Sequence, residues 1–96
     1  MVKKMSRLRT AIAGYGVVGR RRHECLKRDE RFEVVAIGDK DIFSLNPGAD
    51  LDATQILVFD DVKKLFQVEF DVLFVCLPNY MAPELTILGL SAGVHV

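Results

Sequence analysis

Ile12-Ala13-Gly14-Tyr15-Gly16-Val17-Val18-Gly19 spaces three glycines as G-x-G-x-x-G. Residues 8–13 (Leu-Arg-Thr-Ala-Ile-Ala) run up to it and read as a short buried strand. A helical pattern over residues 18–28 follows, and Asp39 stands twenty positions beyond the last glycine, at the end of a second apolar run. Glycines recur in any loop, so the spacing alone says little. Strand, helix and acid together are the sequence form of a dinucleotide-binding βαβ unit. Gly14 is expected to let the chain leave the strand in a tight turn, Gly16 to leave room for a pyrophosphate, and Gly19 to let the helix pack closely on the strand. The amides around Val17 and Val18 would open the helix as unpaired donors at the positive end of its dipole. The plain alternative is a turn that binds nothing, but three glycines at this spacing exceed what a turn requires.

Outward from the turn, Val18, Cys25 and Leu26 can supply the inward stripe of the helix. Arg20-Arg21-Arg22-His23 lie in its first turns, where cations oppose the dipole. An arginine could reach a cofactor phosphate, but a solvated helix face is the favoured reading, with His23 exposed rather than catalytic. Residues 32–37 (Phe-Glu-Val-Val-Ala-Ile) form a second strand, apolar enough to be buried on both faces. Asp39, just past it, is the candidate acceptor for the hydroxyls of an adenosine ribose. A carboxylate there repels a 2′-phosphate and favours NAD. Lys40 argues for NADP, which stays open, and a turn aspartate stays open as well.

Residues 42–54 are poorly periodic and hold the turn signal Asn46-Pro47-Gly48, so the crossover there reads as short or as a loop. Residues 55–59 read as a third strand. Asp60-Asp61 then open a short helix with Val62, Leu65 and Phe66 on its apolar side. Residues 70–77, the most hydrophobic segment, read as a central fourth strand closed by Pro78-Asn79. Ligands of such sheets bind outside the carboxyl ends of the strands, so Leu77, Pro78 and Asn79 belong with the glycine turn. Asn79 serves equally well as a donor to the cofactor or as a helix N-cap. A last helix carries Pro83 in its first turn and Leu85, Leu88 and Ala92 at core spacing, and Gly93 ends it. Residues 94–96 begin a fifth strand in which His95 is structural. The cofactor-binding candidates are therefore Gly14, Tyr15, Gly16, Val17, Val18, Gly19, Asp39, Lys40, Leu77, Pro78 and Asn79, with no catalytic group or metal ligand among the 96 residues.

Composition narrows the classes. Thirteen basic and thirteen acidic residues give no net charge, which speaks against a nucleic-acid binder. No apolar run is long enough to span a membrane, and the basic start (Met1-Val2-Lys3-Lys4-Met5-Ser6-Arg7) reads as a tail rather than a signal peptide. Two cysteines, Cys25 and Cys76, read as buried apolar thiols and fit a reducing cytoplasm. Half the residues are hydrophobic, enough for one α/β domain over residues 1–96. The expected architecture is a Rossmann-type doubly wound parallel sheet of five strands, order 3-2-1-4-5, with right-handed crossovers. A chain that stops inside a strand reads as the truncated N-terminal part of a longer protein, marginally stable or associating through its exposed edge as a homo-oligomer.

Four segments carry a family likeness: Ala13-Gly14-Tyr15-Gly16-Val17-Val18-Gly19-Arg20, Val34-Val35-Ala36-Ile37-Gly38-Asp39, Val72-Leu73-Phe74-Val75-Cys76-Leu77-Pro78-Asn79 and Leu90-Ser91-Ala92-Gly93-Val94-His95-Val96. With these the chain resembles the N-terminal domain of the glucose–fructose oxidoreductase and myo-inositol dehydrogenase family. The resemblance implies hydride transfer between NAD(P) and a hydroxyl or carbonyl carbon, on a sugar or polyol. It also implies that the family's Glu-Lys-Pro motif, whose lysine moves the substrate proton, and the substrate-binding sheet come after His95-Val96. These 96 residues are then expected to hold the cofactor but to turn over no substrate by themselves. Two other readings stay open: a regulatory module that binds NAD(H) without chemistry, and the start of an amino-acid-pathway dehydrogenase or reductase.

Overall fold

A computed structural model describes residues 7–42, 56–77 and 82–96. In chain order these form β1 (Leu8–Ala13), α1 (Val17–Lys27), β2 (Phe32–Gly38), β3 (Leu57–Phe59), a 3₁₀ helix (Val62–Gln67), β4 (Val72–Val75) and α2 (Ala82–Ser91). The strands make one sheet in the order β3-β2-β1-β4, with every pairing parallel. The expected fifth strand is present as a single parallel bridge between Val72 and His95. It is held by the His95 amide donating to the Asp71 carbonyl at 3.0 Å and the Leu73 amide donating to the His95 carbonyl at 2.7 Å. The fourth strand is thus shorter than residues 70–77 and lies between β1 and this bridge.

The apolar carboxyl halves of β1 and β2 are covered on both faces of the sheet. On one face Ala11, Ala13 and Ala36 meet Val62 and Leu65 of the 3₁₀ helix, Leu73 of β4 and Leu85 of α2. On the other, Ile12 and Ile37 meet Tyr15, Leu26 of α1 and Ile42. Alanines on the first face keep the sheet thin enough for the short 3₁₀ helix to reach it. The β1–β2 register slips once: Thr10 faces Val34 and Ala11 faces Ala36, so Val35 is an extra residue in β2. Thr10 is fully buried, and its hydroxyl donates to the Leu8 carbonyl at 3.0 Å.

Two helix phases differ from expectation. The inward stripe of α1 is Gly19, His23 and Leu26, whereas Val18 is 59% exposed and Cys25 is exposed. Gly19 must face the strand because a Cβ there would run into the Gly14 carbonyl. That contact sets the phase, and Val18, one residue earlier, is turned about 100° away. His23 is accordingly buried, not exposed. In α2 the buried positions are Leu85 and Gly89, with Leu88 38% exposed and Ala92 exposed. A Cβ on Gly89 would come within 2.8 Å of Val96 and 3.1 Å of Leu73, so the helix lies close on β4 at that point. Ala92 falls past the end of the helix, where Gly93 turns the chain at φ +80°. The expectations for Asn46-Pro47-Gly48, Pro78 and Asn79 lie outside the described residues.

Candidate cofactor cleft

The glycine turn is wedged between the carboxyl ends of β2 and β4. The Gly14 amide donates to the Gly38 carbonyl at 2.7 Å, and the Cys76 amide donates to the Ala13 carbonyl at 2.7 Å. Gly14 itself has φ +94°, and a Cβ on it would sit 2.5 Å from the Cys76 carbonyl oxygen. Gly16 is the N-cap of α1, and no side chain caps the helix. Its first turn holds no acid either. The amides of Val17 and Val18 therefore present an uncompensated positive end, suited to an anion. A Cβ on Gly16 would meet no atom within 4 Å, so the space before these amides is open.

Asp39 closes the other side. Its Oδ2 accepts the Tyr15 amide at 2.7 Å and its Oδ1 accepts the Asp41 amide at 2.8 Å. The carboxylate thus ties the glycine turn to the turn after β2, and each oxygen retains a further acceptor site. Between the glycine turn and Asp39 lies a cleft of about 830 Å³. Gly14, Gly16, Val17, Val18, Asp39, Lys40 and Leu77 line it, together with Asp41, Asp60, Asp61, Val62, Lys64 and Cys76. Lys64 is engaged with Asp60 at 3.1 Å. One end of the cleft is therefore rich in amide donors and the other in carboxylates.

Two of the candidate residues stand behind this wall. The Tyr15 ring is buried on the α1 side of the sheet, and its hydroxyl shares a 2.8 Å hydrogen bond with Nδ1 of His23. Gly19 backs onto the Gly14 carbonyl. The arginines of α1 do not line the cleft either. The Arg20 guanidinium carbon lies 5.2 Å from the centre of the Tyr15 ring and that of Arg22 lies 5.5 Å from the centre of Phe74. Two of the three thus rest on aromatic faces, while Arg21 and Arg22 stay exposed, as a solvated helix face requires. Among the described residues no cluster of His, Cys, Asp and Glu could hold a metal, and no helix is long and apolar enough to cross a membrane.

Over residues 8–96 the sequence matches an oxidoreductase family described by its NAD-binding Rossmann fold, the glucose–fructose oxidoreductase, inositol dehydrogenase and MocA group. The chain belongs to this family. A search of curated proteins gives no match. Among solved structures it is similar to the WlbA dehydrogenase of Bordetella pertussis in complex with NADH and UDP-GlcNAcA, with 26% identity and a TM-score of 0.79 over 95% of this chain and 28% of that one. The D-galactose-1-dehydrogenase of Rhizobium etli shares the fold at 21% identity and TM-score 0.76, over 100% of this chain and 29% of that one. So does the scyllo-inositol dehydrogenase of Lactobacillus casei with bound NAD(H) and scyllo-inositol, at 16% identity and TM-score 0.77, over 95% of this chain and 27% of that one. The chain spans between 27% and 29% of the length of these structures. It is an NAD-binding Rossmann domain of an oxidoreductase family.

Six lining residues of this Rossmann domain escaped sequence reasoning: Asp41, Asp60, Asp61, Val62, Lys64 and Cys76. The rule that ligands gather at the carboxyl ends of strands holds for β3 as well, and there it picks out Asp60 and Asp61. The cysteines also differ from expectation, for Cys25 is exposed and Cys76 only half-buried. Burial raises the Cys76 thiol above the ordinary range, and Arg22 opposes the shift more weakly. Less thiolate at neutral pH means slower alkylation. Iodoacetamide at pH 8 should therefore label Cys25 at least about fivefold faster than Cys76. Peptide mass mapping at timed intervals reads the ratio, and equal rates would contradict the placement.

Proposed function

We propose that this chain holds the nicotinamide cofactor of an oxidoreductase that moves a hydride between NAD(H) and a hydroxyl or carbonyl carbon of a sugar or polyol. The observation that carries the reading is the pairing, across one cleft, of uncapped helix amides at Val17 and Val18 with the carboxylate of Asp39. The amides would bind the pyrophosphate, with Gly16 leaving room for it. Asp39 would accept the ribose hydroxyls, Lys40 would flank the ribose, and Leu77 with Pro78 and Asn79 would line the crevice toward the nicotinamide. Asp41 and Asp61 add negative charge at the ribose end, Asp60 being paired with Lys64, which supports NAD over NADP. The sugar or polyol class is supported by the ligands named for the WlbA and scyllo-inositol enzymes.

When bound, the nicotinamide supplies the hydride chemistry. The residues described for this chain bind and orient, and none of them is assigned a substrate proton. That step is assigned to the remaining part of a longer protein, since the chain spans 28% of the WlbA enzyme. Two free cysteines support a reducing, cytoplasmic compartment, and a homo-oligomer of the longer protein is proposed with it.

Calorimetric titration with NADH and with NADPH tests the reading. NADH should bind more tightly, and Asp39→Ala should weaken NADH about tenfold while changing NADPH much less. Equal losses for both would reduce Asp39 to a turn residue. Failure of the folded chain to bind either nucleotide would overturn the function.

A further inference from the structure

We infer that His23, which lines no part of the cofactor cleft, is a positioning residue for the cofactor: through the Tyr15 hydroxyl it holds the glycine turn in register with the Asp39 carboxylate. The inference rests on Asp39 being the ribose acceptor. Tyr15 is anchored at both ends. Its amide donates to Asp39 Oδ2 at 2.7 Å, and its hydroxyl lies 2.8 Å from His23 Nδ1, eight residues along the chain in α1. Tyr15 and His23 are each only 4% exposed. Their ring centroids are 5.8 Å apart, and Arg20 lies against the Tyr15 ring.

A buried hydrogen bond of this kind does more than add stability. Buried polar groups need partners, so the hydroxyl and the imidazole accept only one relative placement of turn and helix. Tyr15 stands between the two features the cofactor needs. The helix amides follow it in sequence, and the Asp39 carboxylate is bonded to its own amide. Remove the hydroxyl and the ring still fills its place, but α1 loses its polar tie to the turn and keeps only the Gly19 contact with the Gly14 carbonyl. The Tyr15 amide then no longer holds Asp39 Oδ2 in a fixed direction, and the ribose acceptor loses its orientation.

Tyr15→Phe keeps the ring and removes the bond. Titration of the chain with NADH should show this variant weakened about five- to tenfold, the size of one misplaced hydrogen bond. Asp39→Asn should weaken NADH about tenfold, and the double variant should be no weaker than the worse single one, because both act through one contact. His23→Asn, whose amide lies near the position of Nδ1, should stay within about twofold of the parent, whereas His23→Leu should match Tyr15→Phe. Circular dichroism confirms that the variants compared are folded, and if His23→Leu fails to fold the Tyr15→Phe cycle still decides. Normal NADH affinity in Tyr15→Phe, or losses that multiply in the double variant, would overturn the inference while leaving Asp39 in its role. Normal NADH affinity in Asp39→Asn would overturn both.

Discussion

Gly14→Ala should lower the midpoint of thermal unfolding by about 15–25 °C, on the scale of 4–8 °C per kcal/mol for a domain of this size. Two costs add. The backbone sits at φ +94°, a conformation side chains rarely adopt, at a cost of about 1–3 kcal/mol. The new methyl would also lie 2.5 Å from the Cys76 carbonyl oxygen and 2.8 Å from its carbon, both parts of the main chain and unable to swing aside. The turn and the end of β4 must separate, and the bond from the Cys76 amide to the Ala13 carbonyl goes with them. The total is of order 3 kcal/mol or more, a large share of the stability of a domain this small. Thermal unfolding followed by circular dichroism measures it, and a midpoint within 3 °C of the parent would show that the turn is not wedged as described.

Gly16→Val should do the reverse, leaving the midpoint within about 3 °C of the parent while NADH affinity falls about 100-fold or more. At φ −77° a side chain brings no backbone strain, and its Cβ would meet no protein atom within 4 Å. The open space lies before the amides of Val17 and Val18, and valine fills the room the pyrophosphate needs to reach them. Paired thermal melts and NADH titrations give the two numbers. A folded Gly16→Val chain that binds NADH like the parent would mean that the turn serves structure only.

The glycine turn, the acid after β2 and the sheet order were legible because each is written locally. Spacing of glycines, an apolar run and one carboxylate at the right distance suffice for a βαβ unit. What local pattern could not show was how elements meet. The phase of α1 depends on Gly19 touching the Gly14 carbonyl, a contact between turn and helix that no periodicity contains, and it turns His23 inward and Val18 and Cys25 outward. In α2 the closest approach is at Gly89, which no hydrophobic pattern would pick out. Asp60 and Asp61 mark the start of a helix in the sequence and stand there in the structure, with the Asp61 carboxylate accepting the Lys63 amide at 2.9 Å. Their second position, on the cleft wall, exists only once β3 lies beside β2.

The seat of β1 between β2 and β4 also fixes an order of events in time. The Asp71 carboxylate accepts the Arg9 amide across 62 positions of sequence. The Cys76 carbonyl that walls in Gly14 is equally far along the chain. A ribosome adding about 5–20 residues per second takes about 3–12 s to cover such an interval. β2 is complete only at Gly38, so for about the second half of that interval β1 and β2 can pair while the far edge of β1 waits without its neighbour. Nascent chains of this domain are therefore most exposed to chaperones and to mispairing just before β4 emerges, and the floor of the nucleotide cleft is among the last parts to be completed.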